Sequence, residues 1–273
     1  MTDLAKRVLF AVPAAVFFLW ITWLGSWYFN VLIIIIGLLI QHEIIDLGAK
    51  SGHPPNVVFS YLLALWVMLY PWLPHFGYWG VTLFLLFVVV EVFNHSEKRI
   101  ARLTGTLYFG IYAPLGMLSI MMIRGLGYNE TGFALTLMLL LMVWGNDIFA
   151  YFGGKYLGKH AFAPKISPKK TWEGFGFGFL GALVGLLIAI YALPYHFPLT
   201  LGWALPLFVI SSIFGPMGDL TESKIKRAAG VKDSASILPG HGGFFDRFDA
   251  MILCAPALLI YLKIIELLGY AQF

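Results

Sequence analysis

The chain has 273 residues, 60% of them hydrophobic and 12% charged, and its mean hydropathy is +0.83. Soluble domains hold about 45 to 50% apolar residues, so this composition excludes one and implies an all-α, polytopic integral membrane protein. The net charge of +4 does not point to nucleic acid, because the basic residues stand in short segments between apolar runs, where membrane lipid headgroups and nucleotide phosphates are the fitting partners.

Windows of about 20 apolar residues predict nine transmembrane helices, over residues 8–24, 27–47, 57–73, 77–93, 104–123, 133–153, 174–193, 201–218 and 249–269. The first follows Lys6 and Arg7, but its apolar stretch is long and no small-residue cleavage site follows, so it reads as a retained helix rather than a signal peptide. Cytoplasmic segments collect Lys and Arg. With the N-terminus cytoplasmic, all 18 basic residues except Arg124 and Lys263 fall on the cytoplasmic side. The polar work of the chain is expected at that face.

Residues 1–130 read as N-terminal scaffold helices joined by short turns, with homodimer contacts left open. Glu43, Asp46 and Glu91 stand near predicted cytoplasmic helix ends, where snorkelling or helix-end hydrogen bonding accounts for them; the alternative is a place in the wall of a polar cavity. Residues 131–273 differ in kind. Two long cytoplasmic connections, 154–173 and 219–248, concentrate charge, Gly, Pro, Ser and Asp. No internal repeat is evident, so an inverted-repeat transporter gains no support, and both halves read as one structural unit.

Asp147 falls well inside the sixth predicted helix, with Tyr151 one turn later. A carboxylate at that depth is expensive unless paired, so it reads either as a structural hydrogen-bonding group or as part of a charged cavity. Next come Ser167, Pro168, Lys169, Lys170, Thr171 and Glu173. With Ser167 as cap and Pro168 in the first turn, a helix is predicted to start here, turning free amides and two lysines towards an anion. Gly174 with Gly178, and Gly181 with Gly185, are small residues four apart, a spacing that lets helices approach closely in lipid.

A helix running on through Pro216 puts Asp219, Ser223 and Lys226 on one stripe, aiming an acid, a hydroxyl and a cation into one space. The island that follows, to Asp249, adds Arg227, Lys232, His241, Gly242, Gly243 and Arg247. Glycines let backbone amides approach an anion. Asp246 and Asp249, three apart, share a helix face and offer hard oxygen ligands suited to Mg2+. Asp219 and Asp246 stand at the cytoplasmic ends of successive spans and are expected to meet. A divalent metal ringed by lysines and arginines is the equipment of phosphoryl and nucleotidyl transfer. Cys254 is the lone cysteine, which excludes a disulfide framework and reads as a small buried apolar residue.

Ser223 to Asp249, with its Ser-x-Ile-Lys-Arg, Lys-Asp and His-Gly-Gly-Phe-x-Asp-Arg-x-Asp spacing, resembles the signature of the phosphatidate cytidylyltransferases, or CDP-diacylglycerol synthases. Asp147 to Gly174, above all Ile166 to Gly174, is similar to a second hallmark of that family, and Gly218 to Ser223 to a third. The resemblance implies a nucleotidyltransferase of phospholipid biosynthesis that converts CTP and phosphatidic acid to CDP-diacylglycerol and pyrophosphate. It implies Mg2+, with a second, monovalent cation such as K+ assisting. On this basis Asp219, Asp246, Lys226, Arg227 and His241 are catalytic, and Asp219, Asp246 and Asp249 hold the metal, with Asp147 and Glu173 as outer or additional ligands. Substrate contacts fall to Ser167, Lys169, Lys170, Thr171, Ser223, Lys232, Gly242, Gly243 and Arg247. The setting implied is a bacterial plasma (inner) membrane, with the active site facing the cytoplasm and phosphatidic acid entering laterally between helices. The rivals are a CTP-dependent lipid kinase, a cytidylyltransferase for another lipid phosphate, and an anion transporter.

Overall fold

The computed structural model describes residues 3–95, 97–193, 195–238 and 242–273, with side chains from residue 12 onwards. His241, expected to be catalytic, lies outside the described residues. The described chain folds into nine α-helices and one hairpin. The helices are α1 (Asp3–Leu24), α2 (Ser26–Lys50), α3 (Val57–Met68), α4 (Phe76–Val92), α5 (Arg99–Arg124), α6 (Asn129–Leu157), α7 (Trp172–Ala192), α8 (Leu201–Ala228) and α9 (Phe245–Leu267). Strands β1 (Ala161–Ala163) and β2 (Ser167–Thr171) pair antiparallel between α6 and α7.

Each predicted window contains a helix, and six of the described helices, α2 and α5 to α9, are long and apolar enough to cross a membrane. The chain is thus an all-α membrane protein. α3 is shorter than its window, at 12 residues, or about 18 Å of rise against a hydrocarbon core of about 30 Å. It gives way to a 3-10 turn at Tyr70–Trp72, where Pro71 has no amide proton to continue an α-helix.

One local expectation is corrected. Ser167 to Thr171 is a strand, not the start of a helix. A residue before proline is driven to extended backbone, which places Ser167 in β2. The cap is four residues later, where the Thr171 hydroxyl accepts from the Gly174 amide at 3.1 Å.

The interior is built around α5, which packs against α2, α3, α6 and α9 through buried residues such as Ile40, Met117, Leu139 and Leu258. α6 and α7 run close together because glycine faces glycine: a Cβ on Gly145 would meet the Gly181 carbonyl, and one on Gly181 the Gly145 carbonyl. The small-residue stripe of α7 is therefore a packing seam, as expected. At one end of the bundle Arg124 is 5% exposed and clamps α1 to α6, donating to the Thr22 carbonyl at 2.7 Å and to Asn129 Oδ1 at 2.6 Å.

The opposite end gathers the last turns of α2, α4, α6 and α8 with the first turns of α3, α5, α7 and α9. Asn56 before α3 and Arg102 of α5 both donate to Glu91 of α4, at 2.8 and 3.0 Å. There the buried Glu91 makes the helix-end hydrogen bonds read from the sequence.

Candidate active site

A cavity of about 470 Å³ opens at this end between α6, α7, α8 and the hairpin, its wall including Asn146, Asp147, Lys155, Lys169, Lys170 and Asp219. The helix contributions follow from local sequence. α8 continues through Pro216 to Ala228, so the expected stripe forms: the Ser223 hydroxyl donates to Asp219 Oδ1 at 3.2 Å. The hairpin folds β2 back over α7, fastened by Glu173, whose Oε1 lies 2.6 Å from His160 Nδ1, and by a stack of Phe162 on Phe175 with rings 4.9 Å apart. Lys170 is thereby presented to α8, with Nζ 2.6 Å from Asp219 Oδ2.

α8 and α9 meet closely enough that a Cβ on Gly218 would strike the Asp249 carbonyl. This approach brings Asp219, Glu222 and Asp249 together, each offering an oxygen within 4.8 Å of the others. Three hard oxygen donors in that span fit a divalent cation such as Mg2+. Two of them are among the carboxylates expected to hold metal. Asp246 stands beside this group and is turned to other partners: Oδ1 accepts from Lys226 Nζ at 2.6 Å, and Oδ2 from the Ser234 and Gly243 amides at 2.9 and 2.8 Å. Lys226 is shared, lying 2.7 Å from Glu222 Oε1. The centre thus combines clustered negative charge with the ammonium groups of Lys170 and Lys226, and the positive charge of Arg247 is near enough to act on Asp147.

The remaining expected residues fall in different places. Lys169 and Thr171 border the cavity, and the Thr171 hydroxyl is committed to its cap. Ser167 is at the far end of β2, paired with Ala163. Glu173 faces His160 rather than the carboxylate group. Arg227 is exposed and donates to the Val231 carbonyl at 3.1 Å, closing the end of α8. Lys232 lines a separate cleft with His42, Asp46 and Lys50. Gly242 holds a left-handed φ of 79°, and its carbonyl accepts from the Leu238 amide at 2.9 Å.

Three residues had no expected role at the centre. Glu222, 1% exposed, lies inside the Gly218 to Ser223 stretch with no role expected of it, although its spacing of three from Asp219 and four to Lys226 puts all three on neighbouring faces of a helix. Lys155, the last basic residue of α6, lines the cavity. Asn146 borders it too, 2% exposed and with both amide atoms free of hydrogen-bond partners among the described residues. Only its neighbour Asp147 is conspicuous in the sequence, because a neutral amide costs far less to bury than a charge.

Residues 5–265 match the family described as the cytidylyltransferase family. The chain is 34% identical over 278 residues to a protein of Bacillus subtilis (strain 168) named phosphatidate cytidylyltransferase, an alignment covering 97% of this chain and 99% of that one. A protein of the same name from Brucella abortus biovar 1 (strain 9-941) is 34% identical, covering 96% of this chain and 93% of its own. One from Staphylococcus aureus (strain COL) is 32% identical, covering 94% and 98%.

Proposed function

The chain belongs to the cytidylyltransferase family, and from that premise we propose that it is a phosphatidate cytidylyltransferase, converting CTP and phosphatidic acid to CDP-diacylglycerol and pyrophosphate at a bacterial plasma membrane. The observation that carries this reading is the convergence of Asp219, Glu222 and Asp249 beside a lysine-bordered cavity. Relatives named for the same activity align over nearly the whole chain.

The lipid phosphate is ionised near neutral pH and attacks the α-phosphorus of CTP in line. A new phosphorus–oxygen bond forms as the bond to the β-phosphate bridge breaks, and pyrophosphate leaves with that electron pair. No protein group need act as base or covalent intermediate, so catalysis reduces to positioning and charge neutralisation. Asp219, Glu222 and Asp249 are the residues that hold Mg2+, with Asp147 in the nearby cavity wall as an outer carboxylate. When bound, that ion supplies neutralisation of phosphate charge and orientation of the reacting oxygens. Lys170 and Lys169, carried on the hairpin, bind phosphate oxygens. Asp246 holds Lys226 against Glu222, so that the carboxylate group is balanced by an ammonium before substrate arrives. CTP enters from the cytoplasm, and phosphatidic acid from the lipid through the apolar side of the cavity, where Ala150, Phe162 and Phe175 stand.

The test is pyrophosphate release by purified protein given CTP, Mg2+ and phosphatidic acid, with each omitted in turn and the nucleotide-lipid product identified. Dependence on all three is expected. CDP in place of pyrophosphate would reassign the protein as a lipid kinase.

A further inference from the structure

Glu43 lies on α2, in the half of the chain that the proposed reaction leaves unused, yet it is 2% exposed. An ionisable group in such a place requires partners, and it has three. Oε1 accepts from the Phe244 amide at 2.8 Å, while Oε2 accepts from the Phe245 amide at 2.9 Å and the Ser234 hydroxyl at 2.6 Å. The two amides open α9, where no intrahelical acceptor exists for them and the helix dipole is positive. Glu43 therefore fills, from a distant helix, the anion position at the start of α9. A Cβ on Gly243 would run into the side-chain oxygens of both Glu43 and Ser234, so only glycine lets the loop close around this carboxylate.

The same loop holds Asp246. The Ser234 hydroxyl lies 2.9 Å from Asp246 Oδ2 and 2.6 Å from Glu43. It has one proton, and Glu43 is the nearer acceptor, so Oδ2 of Asp246 is held chiefly by the Ser234 and Gly243 amides, while Oδ1 takes Lys226. Moving Glu43 would release the loop that carries both amides.

We infer that Glu43 is a positioning residue for the cation-binding carboxylates. It fixes the first turn of α9 with Gly243 and Ser234 beside it, and through them the direction of Asp246 and the place of Asp249 beside Asp219 and Glu222. This role rests on that group being the reacting centre, as proposed above. It also means that the amides of Ser234, Gly243, Phe244 and Phe245 are all committed to carboxylates.

The experiment compares Glu43→Gln and Glu43→Asp with the wild type, and with Asp46→Asn as a control one turn along α2, where the side chain is 48% exposed and paired with Lys50. Glutamine presents an N–H where an oxygen accepted a donor, while aspartate keeps the charge and loses reach. Mn2+, as a stand-in for Mg2+, is titrated into substrate-free protein by electron paramagnetic resonance, and kcat and KM for CTP are measured per folded molecule. Glu43→Gln should weaken Mn2+ binding by about 10-fold and lower kcat by about 30-fold with KM for CTP little changed, the scale seen when groups behind metal ligands are altered. Glu43→Asp should recover part of both, and Asp46→Asn should match wild type. Mn2+ affinity of Glu43→Gln within about twofold of wild type overturns the inference, whatever the turnover. Should that variant not fold, Ser234→Ala carries the test: about fivefold weaker Mn2+ binding is expected, and unchanged binding overturns it. A wild type that binds Mn2+ but turns over no phosphatidate would sink the proposed function, while the Mn2+ titrations still decide the role of Glu43.

Discussion

Lys170 and Asp219 meet at 2.6 Å across the cavity, a charge pair that an incoming cation and phosphate would divide between them. Replacing Lys170 with Met removes the ammonium but keeps the side chain's reach. kcat/KM should fall by about 100-fold, the usual effect of deleting one preorganised donor to a charged transition state, and steady-state kinetics would show it. Glu222→Gln is the sharper test of the carboxylate group, because no sequence argument gave that residue a role. Its turnover should drop by more than about 100-fold while the protein remains folded; retention of about a tenth of the activity, a barrier change of about 1.4 kcal/mol, would remove Glu222 from the cation site. The expected acids Asp219, Asp246 and Asp249 were legible as single residues, since charge inside an apolar chain is conspicuous. Their division of labour was not: Asp246 takes Lys226 and two amides, and nothing in its spacing distinguishes it from Asp249.

At the level of elements, the hairpin and the α6–α7 seam place the cavity. Ser167 and Pro168 suggested a helix start, but a proline that can open a helix also forces its predecessor into extended backbone, and here the extended form won because β1 was available to pair with it. The result moved Ser167 away from the site and brought Lys170 into it. The glycine stripe of α7 is legible in the sequence because small residues four apart have one main use between helices in lipid. Gly181→Val should lower the melting temperature, with a loss of about 1 to 3 kcal/mol from overpacking, since its side chain would collide with the Gly145 backbone. Gly176→Ala should not, because beyond the helix's own backbone no atom of the described residues lies within 4 Å of the added carbon. Thermal melts of the two variants in the same detergent give the comparison.

Over the whole molecule, successive helices alternate in direction, so that the site and the connection between α7 and α8 lie at opposite ends. If the basic residues orient the chain as expected, a cysteine at Lys159 should react with a membrane-impermeant thiol reagent only from the cytoplasmic side, and one at His196 only from the other. Native Cys254 is fully buried, so it should stay silent in sealed vesicles of either orientation. Labelling of both positions from one face would overturn the arrangement.

Composition alone determined that this chain is a membrane protein, and apolar windows located each described α-helix, because hydropathy and length are properties of a segment read by itself. The motif spacing likewise marked Asp219, Lys170 and Asp249 before any fold was known. Which carboxylates converge was decided only in three dimensions. Helix periodicity sets which residues share a face of one helix, but the bond from the Phe245 amide to Glu43 spans 202 residues of chain, and the approach of α8 to α9 depends on a missing side chain at Gly218. Such contacts arise from how whole helices pack, a long-range outcome that no local pattern encodes.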